Sequence, residues 1–304
     1  MKTNLAALLV AFGMTVSASA AELGQPAPEL NITEWIKGKA VRFDQGKGKN
    51  LYVVEFWATW CGPCRVSIPH LTEMQKKFAD QGVVFIGVSD EPADTVKPFV
   101  EKMGDKMEYV VAIDPARKTH EGYMKAFGVG GIPHAFLVDK AGVIAWHGHP
   151  MAGLEKAIEE MLAGTYDIEG AKKAAAAEQL VPKYFALVAS AGKDPEAAEL
   201  GNRIVTDGAK NPGLLNEFAW TILTDKRVKD RDLNLALQAA KMAHQTTAGK
   251  DAAITDTYAR ALFDTGKKAD AIKMQKQAID ACKDAPMRSQ LEQTLKGYEA
   301  KAGP

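Results

Sequence analysis

The stretch Trp60-Cys61-Gly62-Pro63-Cys64 decides the reading of this chain. Two cysteines separated by two residues, directly after an apolar run, form the pattern of a thiol–disulfide redox pair. Upstream, Leu51-Tyr52-Val53-Val54-Glu55-Phe56-Trp57 is short, β-branched and aromatic, which predicts a buried central strand. Downstream, Val66, Ile68, Leu71, Met74 and Phe78 recur near helical spacing and predict a helix over 65–80. The pair therefore falls where a strand ends and a helix begins. There Cys61 meets the positive end of the helix dipole and unpaired backbone N–H groups, which favour thiolate over thiol. Cys61 is the candidate nucleophile and Cys64, one turn inside the helix, the resolving thiol.

Other uses of a cysteine pair fit less well. A zinc site needs two more ligands, but the third cysteine is the distant Cys282 and His70 lies six residues along the helix, so no metal is assigned. A structural bridge closing so small a loop constrains the unfolded chain only a little. Pro63 lacks a backbone donor and stiffens the turn with Gly62, while Trp60 is expected to cover the site as an aromatic lip.

Glu55 stands six residues before Cys61, Pro69 five after Cys64, and Gly131-Ile132-Pro133 lies further on. Together with the cysteine pair these residues resemble the thioredoxin superfamily. The resemblance implies that Glu55 is a buried acid handling the proton of Cys64, and that Pro69 sits where the family kinks its active-site helix. It also implies that Pro133 is the cis-proline whose loop holds an extended substrate backbone beside Cys61. Ile132 belongs to that loop, and His134, directly after Pro133, is read either as facing Cys61 or as a polar loop residue without a role. Beyond it, Ala135–Val138 and Val143–Trp146 flank Asp139-Lys140-Ala141-Gly142, which predicts a β-hairpin. Between the cysteines and Pro133 lie two further stretches readable as helices, Glu91–Met107 and Pro115–Phe127. That extra length, with an export signal, resembles the TlpA/ResA-like group of extracytoplasmic thioredoxin-fold proteins over about the first half of the mature chain.

The export signal is read from a basic start at Lys2, an apolar run from Leu5 to Val16, and Ala18-Ser19-Ala20. Cleavage before Ala21 gives a periplasmic product. Lys and Arg (38) balance Asp and Glu (38), so net charge points neither to nucleic acid nor to an anionic membrane surface. In an oxidising compartment a reducing dithiol requires a dedicated electron donor, in the membrane or the periplasm.

Gly153–Leu162 predicts a closing helix with Leu154, Ile158, Met161 and Leu162 on one face. From Tyr166 to Gly170 the character changes to alanine-rich helical stretches, with turns at Lys193-Asp194-Pro195 and Asn211-Pro212-Gly213. Ala236-Leu237 with Ala243, and Ala271-Ile272 with Ala278, share one internal spacing; each block follows a helix bearing an alanine, Ala219 or Ala259, and Gly266 sits in the second turn. These residues resemble tetratricopeptide repeats, which implies either a surface for a peptide or partner protein or a helical domain that stabilises or dimerises the chain. The charged run from Asp225 to Asp232 departs from the tight turn of that pattern.

The fold class expected is an α/β thioredoxin-like domain, a central mixed sheet flanked by helices, followed by an all-α helical-repeat domain. The divisions are 1–20 signal, 21–166 thioredoxin-like, 167–212 connecting helices and 213–300 repeats. Cys282 is expected on the apolar face of the last repeat's second helix, as a small buried hydrophobe. His147 and His149 are expected at a strand end, with copper ligation the lesser reading. Trp35, Trp57, Trp146 and Trp220 are expected in or near the core. The expected function is reduction of protein disulfides without a cofactor. The rivals are an oxidant or isomerase using the same cysteines, a peroxiredoxin-like peroxidase, and a non-catalytic binding module.

Overall fold

The computed structural model describes residues 21–189, 194–229 and 231–302. The signal read over 1–20, and Lys193 of the turn before Pro195, lie outside the described residues.

The sheet is built from β1 (Glu34–Lys37), β2 (Leu51–Phe56), β3 (Val83–Ser89), β4 (Val110–Ile113), β5 (His134–Val138) and β6 (Ile144–Gly148), in the order β1-β4-β3-β2-β5-β6. β2, β3 and β4 run parallel; β1, β5 and β6 pair antiparallel to their neighbours. β2 is central, and every one of its residues is buried. Because side chains alternate across a strand, Leu51 and Val53 face one core with Trp57 beyond the strand end, while Tyr52, Val54 and Phe56 face the other. The first core is closed by α1 (Gly62–Phe78), which continues through Pro69 and turns Ile68, Leu71 and Met74 onto the sheet.

The two stretches before Pro133 are shorter as helices than their sequence predicts. α2 spans Ala93–Met103, and α3 (Lys118–His120) runs into a single π-helical turn, Glu121–Lys125. The hairpin between β5 and β6 is pinned by Asp139, whose Oδ1 accepts from the N–H groups of Ala141 (2.8 Å) and Val143 (3.0 Å). Gly142 at φ 85° supplies the left-handed residue of that turn. α4 (Leu154–Leu162) then covers the α1 side of the sheet with Leu154, Ala157 and Ile158.

Seven helices follow among the described residues, with no strand between them: α5 (Ile168–Ala189), α6 (Pro195–Asp207), α7 (Pro212–Thr224), α8 (Leu233–Thr246), α9 (Ala252–Asp264), α10 (Lys268–Ala281) and α11 (Ala285–Ala302). Their starts are written locally. Asp194, Asn211, Asp232 and Asp251 each accept a backbone N–H at the N-cap. Their interfaces are made of small residues: Ala219, Ala236, Ala243, Ala259, Ala271 and Ala278 are all fully buried. Gly266, at φ 81°, turns the chain between α9 and α10. The sheet and helical regions meet through α5, whose Ala171 and Ala175 pack on the core behind β2 and β5.

Burial corrects the expectation for Trp220 and agrees with that for Cys282, whose place in the helix alone differs. Trp220 is 42 % exposed, on the outer side of α7, whereas Phe218, Ala219 and Ile222 form that helix's buried side. Cys282 is buried and unpaired, but sits at the C-cap of α10 rather than within it, with its thiol 3.3 Å from the Asp284 carbonyl oxygen.

Candidate active site

Cys61 is the N-cap of α1, and its extended backbone (φ −75°, ψ 104°) turns Sγ back onto the first helical turn, where it accepts the N–H of Cys64 at 3.1 Å. Pro63 in that first turn removes no needed donor, since the first N–H groups of a helix have no intrahelical partner. Cys61 and Cys64 form a disulfide, with Cα atoms 5.2 Å apart. Both cysteines are buried, whereas Trp60 beside them is 71 % exposed. The Ile132–Pro133 peptide is cis, and the Ile132 carbonyl oxygen lies 3.8 Å from Cys61 Sγ. Cys61, Cys64, Ile132 and Pro133 thus converge on one point, with Gly62, Pro63 and Trp60 around it.

Glu55 lies on β2 among residues of the α1 side and is 1 % exposed. Its Oε2 accepts the Tyr109 hydroxyl at 3.4 Å, and its Oε1 has no partner. Burial raises its carboxyl from 4.5 to about 8, opposed by the Tyr109 hydrogen bond. The same burial, together with the Glu55 charge and hydrogen bond, holds the Tyr109 phenol well above its ordinary value. Space for this cluster comes from Gly87 on β3, paired with Glu55: a Cβ there would stand 2.9 Å from both Trp57 Nε1 and Tyr109 Cε2. A carboxyl that changes charge near pH 8 can give or take a proton in the physiological range.

His134 takes a different place. On β5 it lies on the side of Phe136, and its Nε2 is 3.0 Å from His147 Nδ1. Burial, with the repulsion of His147 and His149, lowers His134 to about 4, and burial lowers His147. Among the described residues no group of three or more His, Cys, Asp or Glu side chains could hold a metal ion.

A cavity of about 390 Å³ opens beside the site, bounded by Phe56, Trp57, Trp60, Met124 and Ile132 with the Asp90–Arg117 ion pair (2.9 Å) at its edge. Sequence reading missed this wall, as it missed Tyr109 and Glu91, whose Oε2 accepts the Thr59 N–H (2.6 Å) beside Trp60. Asp90 and Glu91 immediately follow an apolar run at the end of a parallel strand, where side chains of neighbouring loops converge on a site, and that position was the available signal.

A dithiol–disulfide pair at a helix N-terminus, backed by a buried acid and flanked by a cis-proline loop on a mixed sheet, defines a thioredoxin-like thiol–disulfide oxidoreductase. The AhpC/TSA family model matches residues 23–147. The chain is 35 % identical over 124 residues to the thiol-disulfide oxidoreductase ResA of Bacillus anthracis, covering 40 % of this chain and 67 % of that protein. It is 31 % identical over 147 residues to ResA of Geobacillus kaustophilus, covering 46 % and 80 %. Among solved structures, the thiol:disulfide interchange protein of the thioredoxin family from Chlorobium tepidum is 28 % identical, covering 47 % of this chain and 99 % of that one at a TM-score of 0.38. The chain belongs to the ResA-like thiol–disulfide oxidoreductases, and its helical second half extends beyond the matched region.

Proposed function

We propose that this protein is an exported, periplasmic reductase of protein disulfides, cleaved before Ala21. The observation that carries the reading is Cys61 at the N-cap of α1, its sulfur receiving a backbone N–H, with a buried carboxyl of raised pKa on the adjoining strand.

In the reduced protein the Cys61 thiolate attacks one sulfur of a substrate disulfide. A mixed disulfide forms, and the other substrate sulfur leaves as a thiolate that takes a proton from water. Cys64 then passes its proton to the Glu55 carboxylate and attacks Cys61 Sγ, regenerating the Cys61–Cys64 disulfide and releasing the second substrate sulfur. Two electrons leave the protein and two enter the substrate. A membrane or periplasmic dithiol donor reverses the sequence, and protonated Glu55 then returns a proton to Cys64. Pro133 and Ile132 hold the substrate backbone beside Cys61, and Trp60 covers the approach. The resemblance of Gly62-Pro63 to the dipeptide of reducing thioredoxins supports the reducing direction.

The division into a catalytic domain over 21–166, connecting helices over 167–212 and tetratricopeptide-like repeats over 213–300 belongs to the same proposal. The buried alanines of α7 to α10 support it, and the repeats raise the effective concentration of a bound partner near the dithiol.

Trapping tests the assignment. In reduced Cys64→Ser protein the second step is blocked, so a disulfide substrate should accumulate as a mixed disulfide on Cys61, and Cys61→Ser should form none. Peroxide consumption at a rate matching disulfide reduction would instead favour the peroxidase reading.

A further inference from the structure

The turn that carries Cys61 is strapped from two sides by side chains that do not touch the sulfurs. Glu91, in the connection between β3 and α2, accepts the Thr59 backbone N–H on Oε2 (2.6 Å) and the Thr59 hydroxyl on Oε1 (2.7 Å). From the other side Arg65, in the first turns of α1, donates to the Thr59 carbonyl through Nε (3.0 Å) and Nη2 (2.6 Å). Every polar group of Thr59 is therefore held by a charged partner, and charge-assisted hydrogen bonds of this kind are the stronger class.

Both anchors are themselves fixed. The Ser89 hydroxyl, fully buried at the end of β3, donates to Glu91 Oε2 at 3.3 Å. The Arg65 guanidinium stands 5.6 Å over the Phe99 ring. Two residues on from Thr59, the turn closes as Cys61 N–H donates to the Ala58 carbonyl (3.2 Å). That closure sets the backbone angles that aim Sγ at the N–H of Cys64.

We infer that Glu91 is a positioning residue for the thiol chemistry: by clamping Thr59 it keeps the Cys61 sulfur seated on the N-terminus of α1. The inference rests on the reading of Cys61 as nucleophile. Its physical content is a conflict of signs. A carboxylate near a thiolate, taken alone, disfavours the thiolate; a carboxylate that holds the sulfur on a helix N-terminus favours it. Removing Glu91 lets the two effects pull Cys61 reactivity in opposite directions. The other charged or titratable groups about the turn are Arg65 on α1, Glu55 on β2, and the Asp90–Arg117 pair with His120 around the cavity that Trp60 lines; His134 is turned away toward His147.

The experiment is the pH profile of iodoacetamide alkylation of Cys61 in the reduced full chain, with the labelled cysteine located by peptide mapping. Glu91→Ala should move the midpoint of that profile upward by about one pH unit, because loss of the seat outweighs loss of the charge. Glu91→Gln keeps an acceptor oxygen for the Thr59 N–H and should leave the midpoint in place or lower it. Thr59→Val, which loses only the hydroxyl contact, should move it upward by less than Glu91→Ala and carries the test if that variant does not fold. A downward shift in Glu91→Ala means that charge alone acts, and overturns the proposal. So does an unmoved midpoint with a lowered melting temperature, the mark of a merely structural contact, and so does an equal upward shift in Glu91→Gln. If Cys64 rather than Cys61 is alkylated first in the unmodified protein, the nucleophile assignment itself fails; if Cys61 is first throughout and its midpoint does not rise, only the role of Glu91 fails.

Discussion

The sheet region and the helical region both have cores of buried apolar side chains, but they fill them differently. Around β2 the core admits Glu55, with one carboxylate oxygen unpartnered, next to the unpartnered indole N–H of Trp57. A buried polar group without a full set of partners costs free energy, and here it stands on the strand next to a disulfide. Between α6, α7 and α8 the core is instead Leu200, Ile204, Phe218 and Ile222 closed by Ala236, Ala239 and Ala240, and the unpartnered buried polar atoms of the described helical region, Asn216 Oδ1, Gln275 Oε1 and Tyr298 Oη, belong to amides and a phenol rather than to a carboxyl. The difference teaches where a group that can change charge has been buried: desolvation lifts the Glu55 carboxyl to about 8, and the proton transfer proposed for it depends on that poorly solvated site.

Replacing the costly group gives the largest expected change. Glu55→Gln keeps the shape but cannot take a proton from Cys64, so disulfide turnover near neutral pH should fall by about 10²-fold. Stability should move the other way. The folded carboxyl sits at about 8 against an ordinary 4.5, so between these values the folded state binds more protons than the unfolded one. Unfolding free energy contributed by this group therefore falls as pH rises through that window, and the loss is complete above it. Urea melts should show Glu55→Gln more stable than the parent by on the order of a few kcal/mol at about pH 9, with the gap closing at about pH 5. A variant that is destabilised at both pH values would mean that Glu55 is structural, and the contrast between the two cores would lose its basis.

A smaller effect is expected from the other core. Ala240 is fully buried among the helices, and Ala240→Leu should cost about 1–3 kcal/mol by overpacking. Reduction of a small disulfide such as oxidised glutathione should stay within about 2-fold of the parent, because the dithiol and Glu55 belong to the other core. A large loss of rate would show that the helical packing is transmitted to the site through α5.

How much of this was legible differs by the same division. The cysteine pair, the strand before it, the helix after it and the hairpin beyond Pro133 could be read because each is a local pattern: apolar alternation, helical spacing, turn residues. Glu55 was legible through the resemblance to thioredoxins, by its place six residues before Cys61. Glu91 and Tyr109 were not, since their contacts come from parallel strand pairing: it sets Glu91, just past β3, beside Thr59, just past β2, and lets Tyr109, just before β4, reach Glu55 from beyond β3. His134 was read by its place next to Pro133, but strand alternation turns it away toward Phe136 and His147. Trp220 was read by residue type, and the exposed side of an amphipathic helix overrode that.

The equilibrium reduction potential of the Cys61–Cys64 pair, titrated in the mature protein against a dithiothreitol buffer, tests the central claim most directly. A reductase fed by a dithiol donor should lie near the thioredoxin value of about −270 mV, whereas a potential near about −120 mV would make the protein an oxidant and contradict the direction of electron flow proposed here.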